Sequence, residues 1–178
     1  EATKSSDFLA KTITVKLKPN KIEDINEVTK VSLSENISLS TTALNNSSLT
    51  IKSALISNRY EYTYEDCYKE TCRTYYDVVV ADPSYQTRSA LVVMDYDLVL
   101  DKEAAPYQNI NDTQAFAKNF MELTYTKNNK EYKSKIKYVT PAKVKDKIIF
   151  EVDGDVANAD TINLLINIRN KSFIVSLK

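Results

Sequence analysis

Residues 88–100, RSALVVMDYDLVL, contain the longest apolar run in the sequence and decide the fold. Successive side chains of a β-strand point to opposite faces of the sheet. One face of this strand would carry Val92, Met94, Tyr96, Leu98 and Leu100, and the other would begin with Leu91 and Val93 and continue with Asp95 and Asp97. The run therefore predicts a central strand that is buried on both faces at its start and on one face at its end.

Apolar and polar residues also alternate with a period of two on both sides of this run, which predicts further β-strands. The segments with this pattern are 9–18, 49–57, 60–66, 73–80, 120–126, 131–140, 147–152 and 162–177. Asn128 and Asn129 separate two of them, and asparagine tolerates the positive φ angles of a tight hairpin turn. Only residues 20–30 and 111–119 have the spacing of a short helix. The whole pattern is typical of an all-β, antiparallel β-sandwich with at most one or two short helices.

The composition excludes several classes of function. The 24 basic and 24 acidic residues balance to a net charge of zero and are interspersed, so no nucleic-acid partner is expected. The chain has no histidine, the commonest acid–base group and metal ligand, and its single glycine excludes a glycine-rich phosphate loop. We therefore expect no cofactor and no enzymatic activity. No apolar run reaches roughly 18 residues, so no membrane span is expected in this chain and any anchor would lie outside it.

Cys67 and Cys72 are the only cysteines, and they flank the predicted tip of a β-hairpin at residues 68–71. A pair in this position favours a disulfide that fixes the tip, which requires an oxidising compartment. Because the closed loop is short, the chain-entropy model assigns the bond only about 2 kcal/mol. Free thiols or a redox-active pair are the alternatives. Structural zinc takes four Cys or His ligands, so no metal site is expected.

Seven of the twelve tyrosines lie within residues 60–85, around this hairpin. Tyrosine offers a large, rigid contact surface with a polar end, and recognition surfaces favour it. The candidate partner-binding residues are Tyr64, Tyr68 and Tyr75, with Tyr68 at the tip itself. The alternative is that Tyr60, Tyr62 and Tyr64 form a sheet face that packs on the core with its hydroxyls at the rim.

Two carboxylates, Asp95 and Asp97, share one face of the predicted central strand. Paired carboxylates can perform acid–base chemistry, which would suit a hydrolase. The simpler interpretation is a solvated strand face whose charges pair with lysines of neighbouring strands, such as Lys133 or Lys135. We favour this interpretation over catalysis.

A second acidic group lies near the C-terminus, where Asp153 and Asp155 flank Gly154 and Asp160 follows. Oxygen ligands of this kind can bind calcium. Asp-Gly is also a strong turn pair, so the group can equally mark a turn between two strands. We favour the turn and keep the three aspartates as candidate calcium ligands.

Four segments resemble the immunoglobulin-like domains, mostly of unknown function, that occur in Gram-positive lipoproteins and cell-surface proteins. They are LTIKSALISNRYEY (49–62), SALVVMDYDLVL (89–100), NFMELTYTKNNKEY (119–132) and PAKVKDKIIFEV (141–152). The family usually has glycine at the 128–129 turn, where this chain has asparagine. The resemblance implies an antiparallel immunoglobulin-like β-sandwich over residues 31–178, preceded by an N-terminal strand or stalk segment at residues 1–30.

The resemblance also implies an extracellular location at the cell envelope and a binding or structural role, and it transfers no functional residue. We therefore expect a non-catalytic extracytoplasmic binding or scaffolding module of a bacterial cell-envelope protein, with a protein partner whose identity the sequence does not give. A self-associating subunit of an envelope secretion or transfer assembly is the alternative. A carboxylate-dependent hydrolase is disfavoured, because the chain has no histidine and no recognisable nucleophile–base pair.

Overall fold

The computed structural model describes residues 27–40, 44, 46–82, 88–101, 113–168 and 171–178. The strands of this part are β1 (Glu27–Val31), β2 (Asn36–Ser38), β3 (Ser48–Ser57), β4 (Arg59–Tyr68), β5 (Thr71–Val80), β6 (Ser89–Val99), β7 (Met121–Lys127), β8 (Lys130–Ser134), β9 (Ile136–Tyr138), β10 (Lys147–Asp153), β11 (Thr161–Ile168) and β12 (Lys171–Ser176). A short α-helix, α1 (Thr113–Phe120), and a 3₁₀ helix, Gly154–Asn158, complete the described elements. No helix among the described residues is long and apolar enough to span a membrane.

Two five-stranded sheets and one hairpin make up the described part of the chain. The first sheet has the strand order β1-β12-β11-β7-β8, the second has β2-β3-β6-β10-β9, and β4 and β5 pair with each other. Every strand pairing in the described part is antiparallel except that of β1, which runs parallel to β12. The predicted all-β, antiparallel β-sandwich with at most one or two short helices is confirmed.

Strand β6 occupies the centre of the second sheet, between β3 and β10. Val92 and Met94 are buried on its inner face, towards the first sheet, and Leu91 and Val93 are buried on its outer face. The prediction of a central strand with two buried faces is therefore confirmed. Further along β6, the outer face changes to Asp95 and Asp97, as the alternation requires.

The main core lies between the two sheets and is built from the alternate apolar residues of their inner faces. Its largest fully buried side chains include Phe116, Phe150, Leu49, Met94, Leu123 and Ile148. Phe116 comes from α1, and its ring lies 5.2 Å from that of Phe120. Helix α1 therefore buries one face against the sandwich, and the sequence predicted this helix at nearly the same residues.

A second, smaller apolar cluster lies outside the sandwich, on the outer face of the second sheet. Its buried members are Ala81, Leu91, Val93 and Ile149, with Tyr60, Val79 and Val139 packed against them. Tyr60, Val79 and Ala81 come from the base of the β4–β5 hairpin and the residue after it. The hairpin therefore folds back over β6 and β10 and covers their apolar outer face.

Strand β1 crosses the predicted boundary between the N-terminal segment (1–30) and the sandwich (31–178). It pairs with β12 from Glu27 to Val31, so its residues belong to the first sheet. The helical spacing predicted for residues 20–30 is wrong for the part described, because Val28 lies in this strand. Residues 1–26, with the predicted strand at 9–18, lie outside the described residues, and the N-terminal strand or stalk stays a prediction.

Gly154, the one glycine of the chain, allows the backbone at the start of the 3₁₀ helix to approach Arg88. Its N–H donates to the Arg88 carbonyl oxygen at 2.6 Å. A Cβ atom at this position would lie 2.4 Å from the same oxygen. Its φ is not positive, so close approach of two backbones, and not a left-handed turn, requires the glycine.

Replacing Gly154 with alanine should lower the free energy of unfolding by about 1–3 kcal/mol, because the added methyl group must push β10 away from the start of β6. The matched control is Asn158→Ala, at an exposed position of the same 3₁₀ helix. Urea unfolding followed by far-UV circular dichroism measures both variants. Equal stability of Gly154→Ala and the control would contradict the close-approach explanation.

Candidate functional site

The β4–β5 hairpin is not hydrogen-bonded into either five-stranded sheet. All ten residues of β4 pair with β5, and within the described residues neither strand pairs with any other. Its base packs on the second sheet, and its far half extends away from that contact. The sequence predicted this hairpin and its tip at residues 68–71, and both are confirmed.

The strand register divides the hairpin into two faces. Residues directly opposite in an antiparallel pair lie on the same face, and every second residue along a strand does too. One face, which we call the tyrosine face, carries Tyr60, Tyr62, Tyr64, Asp66 and Tyr68 from β4 and Val79, Asp77, Tyr75, Arg73 and Thr71 from β5. The other, which we call the disulfide face, carries Arg59, Glu61, Thr63, Glu65 and Cys67 from β4 and Val80, Val78, Tyr76, Thr74 and Cys72 from β5.

The rings of the tyrosine face form a continuous row. Tyr60 and Tyr62 have their ring centroids 6.5 Å apart, Tyr62 and Tyr64 6.1 Å, and Tyr64 and Tyr75 5.4 Å. Only Tyr60, at the base, packs against the apolar cluster of the second sheet. The alternative interpretation, a tyrosine face packed on the core, therefore describes the base of the hairpin and not its outer half.

The segment before β10 supports the outer half of the tyrosine face. Lys143 places its Nζ 3.9 Å from the centroid of the Tyr64 ring and 3.7 Å from Asp66 Oδ2. An ammonium group over an aromatic face is attracted by the ring quadrupole. Tyr62 donates its hydroxyl to Asp77 Oδ2 at 3.0 Å, and partial burial together with this hydrogen bond raises the pKa of Tyr62. Lys143 was not predicted as part of the site, because it lies far from Tyr64 along the chain and no local pattern indicates their contact.

Tyr64 and Tyr75 thus stack on each other, whereas Tyr68 is 78% exposed at the tip. The disulfide face adds Tyr76, which is 85% exposed, together with Val78 and Val80, which are also exposed. This apolar row was not predicted from the sequence, although the alternation of Cys72, Tyr76, Val78 and Val80 along β5 indicates it. The three predicted contact residues therefore divide between a stacked pair and one exposed ring, which has Lys69 Nζ 5.5 Å from its centroid.

Cys67 and Cys72 are directly opposite each other and form a disulfide, with their Cα atoms 4.0 Å apart. The bond closes the hairpin one residue pair before its turn. Lys69 in that turn has a φ of 56°, a conformation that residues with a Cβ seldom adopt. The disulfide therefore holds the two strand ends together across an unfavourable turn residue.

A groove of about 780 Å³ runs between the hairpin and the segment that leads into β10. Its walls are residues 59–63, residues 76–78 and residues 143–147. The walls combine tyrosine rings with lysine, arginine and carboxylate side chains. Both the groove and the exposed tip are thus formed by the hairpin, which makes this element the candidate functional site.

The two carboxylates of β6 are held in ion pairs on the outer face of the second sheet. Asp95 pairs with Lys147 and accepts a hydrogen bond from Ser53 Oγ at 2.5 Å, and these contacts lower the pKa of Asp95. Asp97 pairs with Lys52 at 2.6 Å. The predicted lysine partners, Lys133 and Lys135, are wrong, because they belong to β8 and the segment after it, and β3 and β10 are the neighbours of β6.

The three candidate calcium ligands are each engaged by other groups. Asp153 Oδ2 accepts the N–H of Lys135 at 3.1 Å, Asp155 pairs with Lys127 at 2.8 Å, and Asp160 Oδ2 accepts the N–H of Asn128 at 3.0 Å. The described residues contain one group of three potential metal ligands within 4.8 Å of one another, and these aspartates are not part of it. The structure therefore does not bring the predicted ligands together.

No protein-family model and no curated protein matches this chain. Among solved structures, the chain is similar to the crystal structure of an uncharacterized β-sandwich protein from Clostridium difficile 630. The similarity has a sequence identity of 12% and a TM-score of 0.44, and it covers 86% of this chain and 96% of that one.

Reduction of the disulfide should loosen the hairpin tip and leave the sandwich intact. Losing about 2 kcal/mol of loop-closure entropy corresponds to roughly thirtyfold faster opening of the tip. Hydrogen exchange with mass spectrometry should therefore show faster exchange at residues 64–75 in reduced protein and unchanged exchange in β6 and β10. Equal acceleration across both regions would show that the disulfide stabilises the whole fold.

Replacing Asp95 with asparagine should lower the free energy of unfolding at pH 7 by about 1 kcal/mol, since it breaks a partly exposed charged pair. A lowered folded-state pKa stabilises the protein above the unfolded-state value, near 4, and this contribution is lost as the pH falls through the folded-state pKa. The wild type should therefore lose stability more steeply than Asp95→Asn below about pH 4.

The control for this experiment is Asp97→Asn, which breaks the more exposed pair with Lys52 and should change stability by at most about 0.5 kcal/mol. Urea unfolding at a series of pH values gives both quantities. Identical acid limbs for the wild type and Asp95→Asn would show that the ion pair with Lys147 contributes nothing.

Proposed function

We propose that this chain is a non-catalytic extracytoplasmic binding or scaffolding module of a bacterial cell-envelope protein, and that the β4–β5 hairpin makes the contact with its partner. One observation carries the proposal: the hairpin exposes Tyr68 at its tip and Tyr76 and Val80 along its disulfide face, while a disulfide fixes the tip. Exposed tyrosines on a fixed backbone suit protein recognition, because little conformational entropy remains to be lost on binding.

The disulfide and the family resemblance support the location. Disulfides persist in oxidising environments outside the cytoplasm, and both cysteines are exposed, so a reducing compartment would leave this one open to reduction. The immunoglobulin-like domains that the sequence resembles occur in Gram-positive lipoproteins and cell-surface proteins. Attachment to the envelope would lie outside the residues described.

We also propose different roles for the contact residues, based on their exposure. We assign direct contact to Tyr68 and Tyr76, whose rings are largely exposed. Tyr64 and Tyr75 stack on one another, with Lys143 over the Tyr64 ring, and we assign this pair the role of holding the hairpin in shape. Hot spots in protein interfaces are enriched in tyrosine and arginine, which are both present on this hairpin.

Self-association in an envelope assembly is the second candidate, and the unpaired strand edges favour it. Within the described part of the chain, both hairpin strands have one edge without a neighbouring strand. Such edges can pair with the same edge of a second copy. Light scattering over a range of protein concentrations distinguishes the two roles, since only self-association raises the mass with concentration.

The double variant Tyr68→Ser/Tyr76→Ser should lose capture of the partner from an envelope extract by at least about tenfold, the cost of removing hot-spot aromatic residues. Captured proteins are quantified by mass spectrometry beside the wild type. The matched control is Tyr132→Ser, which removes a half-exposed tyrosine from the β7–β8 hairpin of the first sheet. Its capture should equal that of the wild type.

Equal capture by the wild type and the double variant would show that the partner does not bind through the hairpin. Loss of capture in the control as well would indicate a general effect of tyrosine removal. If no protein is captured and the mass rises with concentration, self-association replaces partner binding as the proposed role.

A further inference from the structure

Glu65, Cys67 and Cys72 bring three potential metal-ligand atoms within 4.8 Å of one another on the disulfide face of the hairpin. The register explains the cluster. Cys67 and Cys72 are directly opposite, and Glu65 precedes Cys67 by two residues and so lies on the same face. All three side chains are exposed, so an ion could reach them from solvent.

In the oxidised chain the two sulfur atoms are bonded to each other and are not available as thiolate ligands. A dithiol reductant changes this: it gives two hydrogen atoms to the cystine, which becomes two thiols, and is itself converted to a disulfide. Metal binding then releases the two thiol protons to solvent. The ligand set that results is two thiolates and one carboxylate.

We propose that the reduced hairpin tip is a binding site for one Zn²⁺ ion, formed by Cys67, Cys72 and Glu65 with a water molecule as the fourth ligand. Zinc takes tetrahedral sites of sulfur and oxygen ligands, and sites with three protein ligands leave the fourth position to water. A Zn–S bond of about 2.3 Å places two sulfurs roughly 3.8 Å apart in a tetrahedron, which opposite residues of a strand pair can reach. The two thiolates exclude calcium and magnesium, which require oxygen ligands.

The site depends on the backbone of the hairpin and not on the proposed partner. A zinc ion would join β4 and β5 at the same residue pair as the disulfide does. The hairpin tip would therefore be closed in two chemical states, by a covalent bond when oxidised and by a metal when reduced. The proposal departs from the expectation of no metal site, which considered the two cysteines without Glu65.

The experiment uses the full chain, reduced with dithiothreitol and freed of reductant by gel filtration under argon. Equilibrium dialysis against ZnCl₂ should give one zinc per reduced chain and none per oxidised chain. Substitution with Co²⁺ should produce a sulfur-to-cobalt charge-transfer band in the reduced chain alone. Far-UV circular dichroism of the reduced apo-protein checks that the sandwich is retained.

Three variants test the ligand set. Cys67→Ser/Cys72→Ser should abolish both zinc binding and the charge-transfer band. Glu65→Gln should weaken binding by at least about tenfold, since loss even of a group that only supports a ligand typically costs this much. The matched control is Glu61→Gln, on the same strand and the same face, whose carboxylate pairs with Arg59 and should leave zinc affinity unchanged.

Several results would overturn the proposal. Zinc binding by the double serine variant, or equal binding by oxidised and reduced protein, would place the ion elsewhere. Equal zinc affinity of Glu65→Gln and Glu61→Gln would show that Glu65 is not a ligand. Half a zinc per chain with a doubled mass in light scattering would replace the intramolecular site with one shared by two molecules.

Discussion

The apolar outer face of β6 is the constraint on which the rest of the structure depends. A two-layer sandwich buries only the inner faces of its sheets and leaves the outer faces to solvent. Here Leu91, Val93 and Ile149 are buried on the outer side of the second sheet. A third layer must cover them, and the base of the β4–β5 hairpin supplies it. The path of the chain between β3 and β6 follows from this requirement.

One carboxylate fixes the chain where it leaves the hairpin. Glu151 of β10 accepts hydrogen bonds from the N–H of Asp82 and from Ser89 Oγ, at 2.8 and 2.9 Å. Burial opposes the charge of Glu151, but these donors and Lys137 outweigh that effect and lower its pKa. The segment that follows β5 is therefore tied to the strand whose outer face the hairpin covers. The hydrogen bonds of Glu151 therefore hold the hairpin base at the place where it covers the apolar cluster.

Features that depend on consecutive residues could be predicted from the sequence, whereas features that depend on the pairing of distant strands could not. The consecutive apolar residues of β6 are enough to predict that both of its faces are buried. Asn128 and Asn129 likewise both have the positive φ expected of the hairpin turn. The partners of Asp95 and Asp97 depend instead on which strands flank β6, and alternation alone does not specify strand order. The parallel pairing of β1 with β12 and the contact of Lys143 with Tyr64 join residues far apart in the chain, so no local pattern could predict them.

The outer half of the hairpin needs support that the core does not give. An isolated two-stranded hairpin is marginally stable in water at best. Three devices stabilise this one without burying it: the row of stacked tyrosines, the ammonium group of Lys143 over the Tyr64 ring, and the covalent bond between Cys67 and Cys72. None of them involves a residue of the main core between the two sheets. These contacts restrict an exposed surface to one shape, so that little conformational entropy would remain to be lost if it bound a partner.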